Sequence, residues 1–184
     1  MNIQFKNIIA FAFVSLFLFA CDSTPSLQKY YVEKLDDAAF VVVNLPLQLN
    51  QIFGNNLTET EQKTVAGIEK FNLLFLRKQE GKIEYYNSEL NRIQNILKQN
   101  RYQHLMDFKA FDNAQGNIMY EGDDVDRVKE GIVFFHSQKM GFAVLRIIGP
   151  EINPAGFMGL INKIDAKQLE QQMKNTVSIF NNSL

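Results

Sequence analysis

A chain of 184 residues with 46% hydrophobic and 21% charged side chains is the size of one domain and can bury a core, which excludes both a disordered polymer and a second full domain. Its 19 basic and 20 acidic residues give a formal net charge of −1, so it lacks the basic field on which nucleic-acid binding depends. A single cysteine excludes any disulfide within the chain.

The first twenty residues have the pattern of an export signal. Lys6 supplies a positive start, and residues 8–20 form an apolar run broken only by Ser15. A bilayer span needs about 20 apolar residues, so this run is too short to cross and is the length of a signal-peptide core. It ends in Leu18-Phe19-Ala20-Cys21, which resembles the lipobox of bacterial lipoproteins, where a cysteine behind a small residue is acylated and becomes the new N-terminus. The resemblance implies a signal peptide over 1–20, lipidation at Cys21 and a lipid-held tether over 21–28. Residues 29–184 are then one globular domain. Without residues 1–20 the chain keeps 18 basic and 20 acidic residues, a net of −2. Each buried acyl methylene contributes about 0.8 kcal/mol, and two or three chains make a stable anchor. Acylation also removes the one thiol from metal binding and catalysis.

Residues 38–44 are β-branched and aromatic and predict a buried strand ending before Pro46, with a short helix through 47–53 to follow. Thr58-Glu59-Thr60-Glu61 has capping-box spacing and predicts a helix ending near Gly67. Phe71, Leu73 and Phe75 alternate with polar neighbours, the period of a strand with one buried face. Ile83, Tyr86, Leu90, Ile93 and Leu97 recur at three and four, the stripe of an amphipathic helix. Strands are predicted over 102–109 and 117–121, with a turn at Asn113-Ala114-Gln115-Gly116. Residues 131–137 and 141–148 form a hairpin across Gln138-Lys139-Met140. Its apolar residues fall on both faces: Phe142, Val144 and Ile148 on one, Ala143, Leu145 and Ile147 on the other. Asn153-Pro154 caps one or two C-terminal helices running through Leu169 and Ile179. Successive strands joined by short turns predict an α+β fold, a largely antiparallel sheet of five to six strands with helices mainly on one face.

Candidate chemistry is sparse. His104 and His136, the only histidines, lie in predicted strands; His104 is expected to share a face with Tyr102, Met106 and Phe108, and His136 with Ile132 and Phe134. Neither sits in an HExxH pattern, so hydrogen-bonded strand histidines are expected rather than metal ligands. Glu121-Gly122-Asp123-Asp124-Val125-Asp126 gathers carboxylates in a loop but lacks calcium-loop spacing, which leaves a solvated acidic turn. Gly156-Phe157-Met158-Gly159 has the GxxG form of some RNA clamps but no basic cluster beside it, so close packing is expected. Nucleophile-elbow, phosphate-loop and dinucleotide motifs are absent from the sequence. No catalytic, metal or cofactor residue is therefore assigned, and no cofactor is expected.

The lipobox, Ser26-Leu27-Gln28-Lys29-Tyr30-Tyr31-Val32 with Phe40-Val41-Val42-Val43, the strand at 71–75, the stretch 102–108, and Gly141-Phe142-Ala143-Val144 followed by Asn153-Pro154 together resemble the DUF4252 lipoproteins of Bacteroidetes-type bacteria. The resemblance lends no active-site residues. The leading expectation is a non-catalytic envelope lipoprotein, periplasm-facing, that binds another protein and no nucleic acid. An alternative is a carrier of small apolar ligands, motivated by eleven phenylalanines after Cys21. A third is a hydrolase with dispersed carboxylates.

Overall fold

The computed structural model describes residues 24–45, 56–109, 114–122 and 128–163. Cys21 and its leader, the helix expected over 47–53, Asp123, Asp124 and Asp126 of the acidic loop, and any helix beyond Lys163 lie outside them.

The domain begins earlier than the expected tether boundary. Ser26 accepts a hydrogen bond from the Lys29 N–H and caps α1 (Leu27–Glu33), which a 3-10 turn (Lys34–Asp36) extends. Leu27, Tyr30, Tyr31 and Lys34 stand at i, i+3, i+4 and i+7, so one stripe of this short helix is buried. After β1 (Phe40–Leu45), the expected capping box opens α2 (Glu59–Gly67), with the Thr58 N–H donating to Glu61 at 2.6 Å and the Glu61 N–H to Thr58 at 3.3 Å. Then come β2 (Lys70–Arg77), α3 (Ile83–Leu97), β3 (Tyr102–Lys109), β4 (Gln115–Gly122), β5 (Val128–Ser137), β6 (Gly141–Ile152) and α4 (Pro154–Lys163). Gln115 and Gly116, expected in a turn, already pair within β4. At α4 the Asn153 side chain accepts from the Gly156 N–H at 2.9 Å, the expected cap.

One antiparallel sheet takes all six strands in the order β1-β2-β6-β5-β4-β3. The β5–β6 hairpin forms as expected, and Gly141, with φ of 125°, closes its turn. A Cβ at Gly141 would lie 2.0 Å from the Leu76 carbonyl oxygen, so only glycine lets β2 pair there.

On the front face α1 and α3 cover Phe40, Leu74, Leu76, Phe134, Phe142 and Val144. Phe142 is fully buried and meets Phe40, Tyr86 and Phe134 at ring-centroid distances of 6.1, 5.9 and 6.3 Å. Burying each such ring contributes about 1.5–3 kcal/mol, and such aromatic pairs about 0.5–1.5 kcal/mol more. On the back face α2 and α4 cover Phe71, Ile118, Tyr120 and Ile147. The two helices meet through the GxxG: a Cβ on Gly156 would strike Thr64 Oγ1 at 1.9 Å, and one on Gly159 would strike Glu61 Oε1 at 2.6 Å. The motif is used for close packing, as expected. Central β2 is consequently buried on both sides. Phe71 faces back while Leu74 and Leu76 face front, so its alternation separates two cores rather than core from water.

Candidate functional site

Registered rows across the front face locate the site. The first row runs Phe40, Leu76, Phe142, His136, Gln115, Lys109 from β1 to β3. The next runs Val42, Leu74, Val144, Phe134, Asn117, Asp107. Both rows are apolar where helices cover them and turn polar toward the β3 edge. There a groove of about 380 Å³ is lined by Asp107, Lys109, Gln115, Asn117 and His136, with Phe108 and Gly116 at its side.

A β-bulge makes this surface. Register shifts between His104 and Met106, which places one extra residue in β3 and reverses the sidedness beyond it. His104 stays on the front opposite Met119, Met106 and Phe108 pass to the back opposite Ile118 and Gly116, and Asp107 comes to the front. The expectation that His104 shares a face with Met106 and Phe108 is thereby corrected. His104 Nε2 instead lies 2.9 Å from Asp107 Oδ1. His136 stands where expected, on the face of Ile132 and Phe134, its ring 5.9 Å from that of Phe134. Asn117 Oδ1 is buried with no hydrogen-bond partner among the described residues. Such an acceptor costs about 1–3 kcal/mol unless something donates to it. The groove therefore offers an anion, a cation and amides, a mixture suited to the alternating N–H and C=O groups of a peptide. Among the described residues strand β3 forms one outer edge of the sheet, and an edge is where a further strand can pair.

Two other polar clusters lie inside the fold. Beneath α1, Lys34 is 4% exposed, and its Nζ lies 2.9 Å from Glu89, 3.3 Å from Asp37 and 5.1 Å from the Phe40 ring centre. Glu89 also accepts from the Tyr30 hydroxyl at 2.7 Å. Burial pushes the Tyr30 pKa up, and the bond to Glu89 pushes it further. Burial pulls Lys34 down, but its bond and charge pairing with Glu89 outweigh this and leave it raised. Burial pushes Asp37 up, yet hydrogen bonds from Tyr85, the Ala39 N–H and Lys34 prevail and hold it below the usual carboxylate range. In the second cluster Arg146 donates to both oxygens of Glu130, at 2.6 and 2.9 Å, and lies 5.4 Å from the Tyr31 ring centre. These carboxylates are held by cations, a structural arrangement.

The remaining sequence candidates separate. Glu121 accepts from Arg101 at 2.6 and 3.0 Å. No group of three or more histidine, cysteine, aspartate or glutamate side chains suited to a metal occurs among the described residues. Phe40, Phe71, Phe134, Phe142 and Phe157 are core residues, which accounts for much of the aromatic content without a ligand. Sequence reasoning missed the groove because the bulge that assembles it has no composition signal. It also missed the Arg146–Glu130 pair, which was findable: a charge inside the apolar run 142–148 stands almost opposite an acid across the predicted hairpin.

Fold and site together define an α+β domain with an open six-stranded antiparallel sheet, helices on both faces and a polar groove at one edge. The chain belongs to the DUF4252 family, described as a domain of unknown function, whose model matches residues 30–160 from α1 to α4. No curated protein and no solved structure matches the chain. No helix among the described residues is long and apolar enough to cross a membrane.

Proposed function

We propose that this chain is a non-catalytic protein-binding module, held on an envelope membrane by lipids on Cys21, that captures an extended segment of another envelope protein along β3. The observation that carries this reading is the groove beside an edge strand, lined by Asp107, Lys109, Gln115, Asn117 and His136. An added strand pairs with the β3 backbone, and its side chains and amides meet the polar groove. The lipobox sequence supports the anchoring, because Leu18-Phe19-Ala20-Cys21 closes an export-length apolar run.

A photo-crosslinking residue at Gln115, in cells carrying the full chain, tests the proposal. It is expected to give a discrete heavier adduct with another protein, while the same residue at exposed Gln62 on α2 does not. Asp107→Ala with Asn117→Leu should remove the adduct. Recovery of the monomer alone, under conditions that trap known envelope complexes, would refute the binding role.

A further inference from the structure

We propose that the corner of the domain around Thr24 is its membrane-facing surface, seated on phospholipid headgroups, so that the β3 groove is held away from the bilayer. This orientation rests on the anchoring of Cys21 proposed above.

The chain is fastened to the fold almost as far as the anchor. Leu27 is 1% exposed, and its N–H donates to the Tyr102 hydroxyl at 2.9 Å. The Gln99 amide donates to the Pro25 carbonyl at 2.7 Å, and Lys29 Nζ to the Thr24 carbonyl at 3.3 Å. From Cys21 to Thr24 is three residues, at most about 11 Å of extended chain. The headgroup layer on each side of a bilayer is itself about 5–8 Å thick. A tether this short leaves the Thr24 corner at the headgroup surface, with little freedom to turn.

The corner is polar and mixed in charge. A concavity of about 770 Å³ opens there, lined by Thr24, Gln99, Asn100, Arg101, Glu121 and Lys129 among others. Exposed Lys98 stands beside it at the end of α3, and exposed Lys29 on α1. Arg101 is already bonded to Glu121, and Asp22, Asp123, Asp124 and Asp126 stand close to these cations in the sequence, so charge is balanced around the corner and the orientation rests on the short tether. Strand direction then fixes the rest. Tyr102 begins β3 beside Leu27, and Lys109 ends it in the groove, about 23 Å further along an extended strand. Strand β5 runs the same way from Val128 to Ser137, which puts the Gln138 turn about 30 Å from the corner.

The test uses the acylated full chain reconstituted into phosphatidylethanolamine–phosphatidylglycerol vesicles containing a nitroxide-headgroup lipid. Acylation consumes Cys21, the only cysteine, so Asn100→Cys or Gln138→Cys supplies a single labelling site for a fluorophore. Flotation and intact mass establish anchoring independently. Quenching at position 100 is expected to exceed that at position 138 severalfold, and a flexible Gly-Ser insertion between Ser23 and Thr24 should diminish the difference. Equal quenching, or stronger quenching at 138, in protein that floats and carries acyl mass would overturn the orientation and leave the anchor standing. Protein without acyl mass that fails to float would overturn the anchor and the orientation together. An unchanged contrast after the insertion would overturn the role of the short tether.

Discussion

One row of the front face passes from Phe40, Leu76 and Phe142 under helices α1 and α3 to His136, Gln115 and Lys109 in an open groove. The covered half buries its charged groups in pairs, Lys34 with Glu89, Asp37 and Tyr30, and Arg146 with Glu130, leaving only Arg146 Nη1 unbonded among the described residues there. The open half leaves Asp107, Lys109 and Gln115 exposed and mixed in sign. Burial makes an unpaired charge very costly, so in the covered half polarity serves the fold. At the edge the same residue types can be spent on recognition, because water fills their bonds until a partner arrives.

The largest effect should come from breaking a closed set. Glu89→Ala leaves the Lys34 ammonium and Tyr30 hydroxyl buried without their acceptor, and is expected to lower unfolding free energy by about 3–5 kcal/mol in urea titration. Lys34→Met combined with Glu89→Leu should recover much of that loss, because no stranded charge remains; full additivity of the single losses would show that the set is not coupled.

Alkaline pH strains the same cluster more gradually. Tyr30 and Lys34 both have folded pKa values above their ordinary ones. The unfolded chain therefore releases these protons first, and stability falls with rising pH. The contribution is complete below about pH 10 and is lost as pH climbs through the raised folded values. Urea midpoints should hold between pH 7 and pH 9 on this account, then drop, and less steeply in Tyr30→Phe. A midpoint flat to pH 11 would contradict the linkage.

A smaller change tests where the two halves meet. Tyr102→Phe removes the hydroxyl that accepts the Leu27 N–H and should cost about 1–3 kcal/mol, because a buried donor is left unmatched. Hydrogen exchange at Leu27 should accelerate in this variant, and unchanged protection would mean that the bond does not hold α1.

The smallest stability effect is expected in the groove. Asn117→Leu removes an acceptor that has no partner among the described residues, so the thermal midpoint should stay level or rise slightly. The adduct formed from Gln115 should disappear in the same variant. A large loss of stability with the adduct retained would make Asn117 a structural residue and would place recognition elsewhere.

Period and capping chemistry alone determined much of the scaffold. The Thr58–Glu61 box, the Gln138-Lys139-Met140 turn and the Asn153 cap are local and occur where those residues predict them, and the stripe predicted from Ile83 to Leu97 faces the core from Tyr86 onward while Ile83 is exposed. Helix α1 was legible in principle from Ser26 and its buried stripe, but its seven residues carry too little periodicity to stand out from a tether. Tertiary structure decided which face of β2 meets which core, because apolar side chains on both sides of a strand do not say which helices will cover them. It also decided the groove. A one-residue bulge reverses every side chain after it, and that shift is set by how β3 registers against β4, a contact between distant residues that no short stretch encodes.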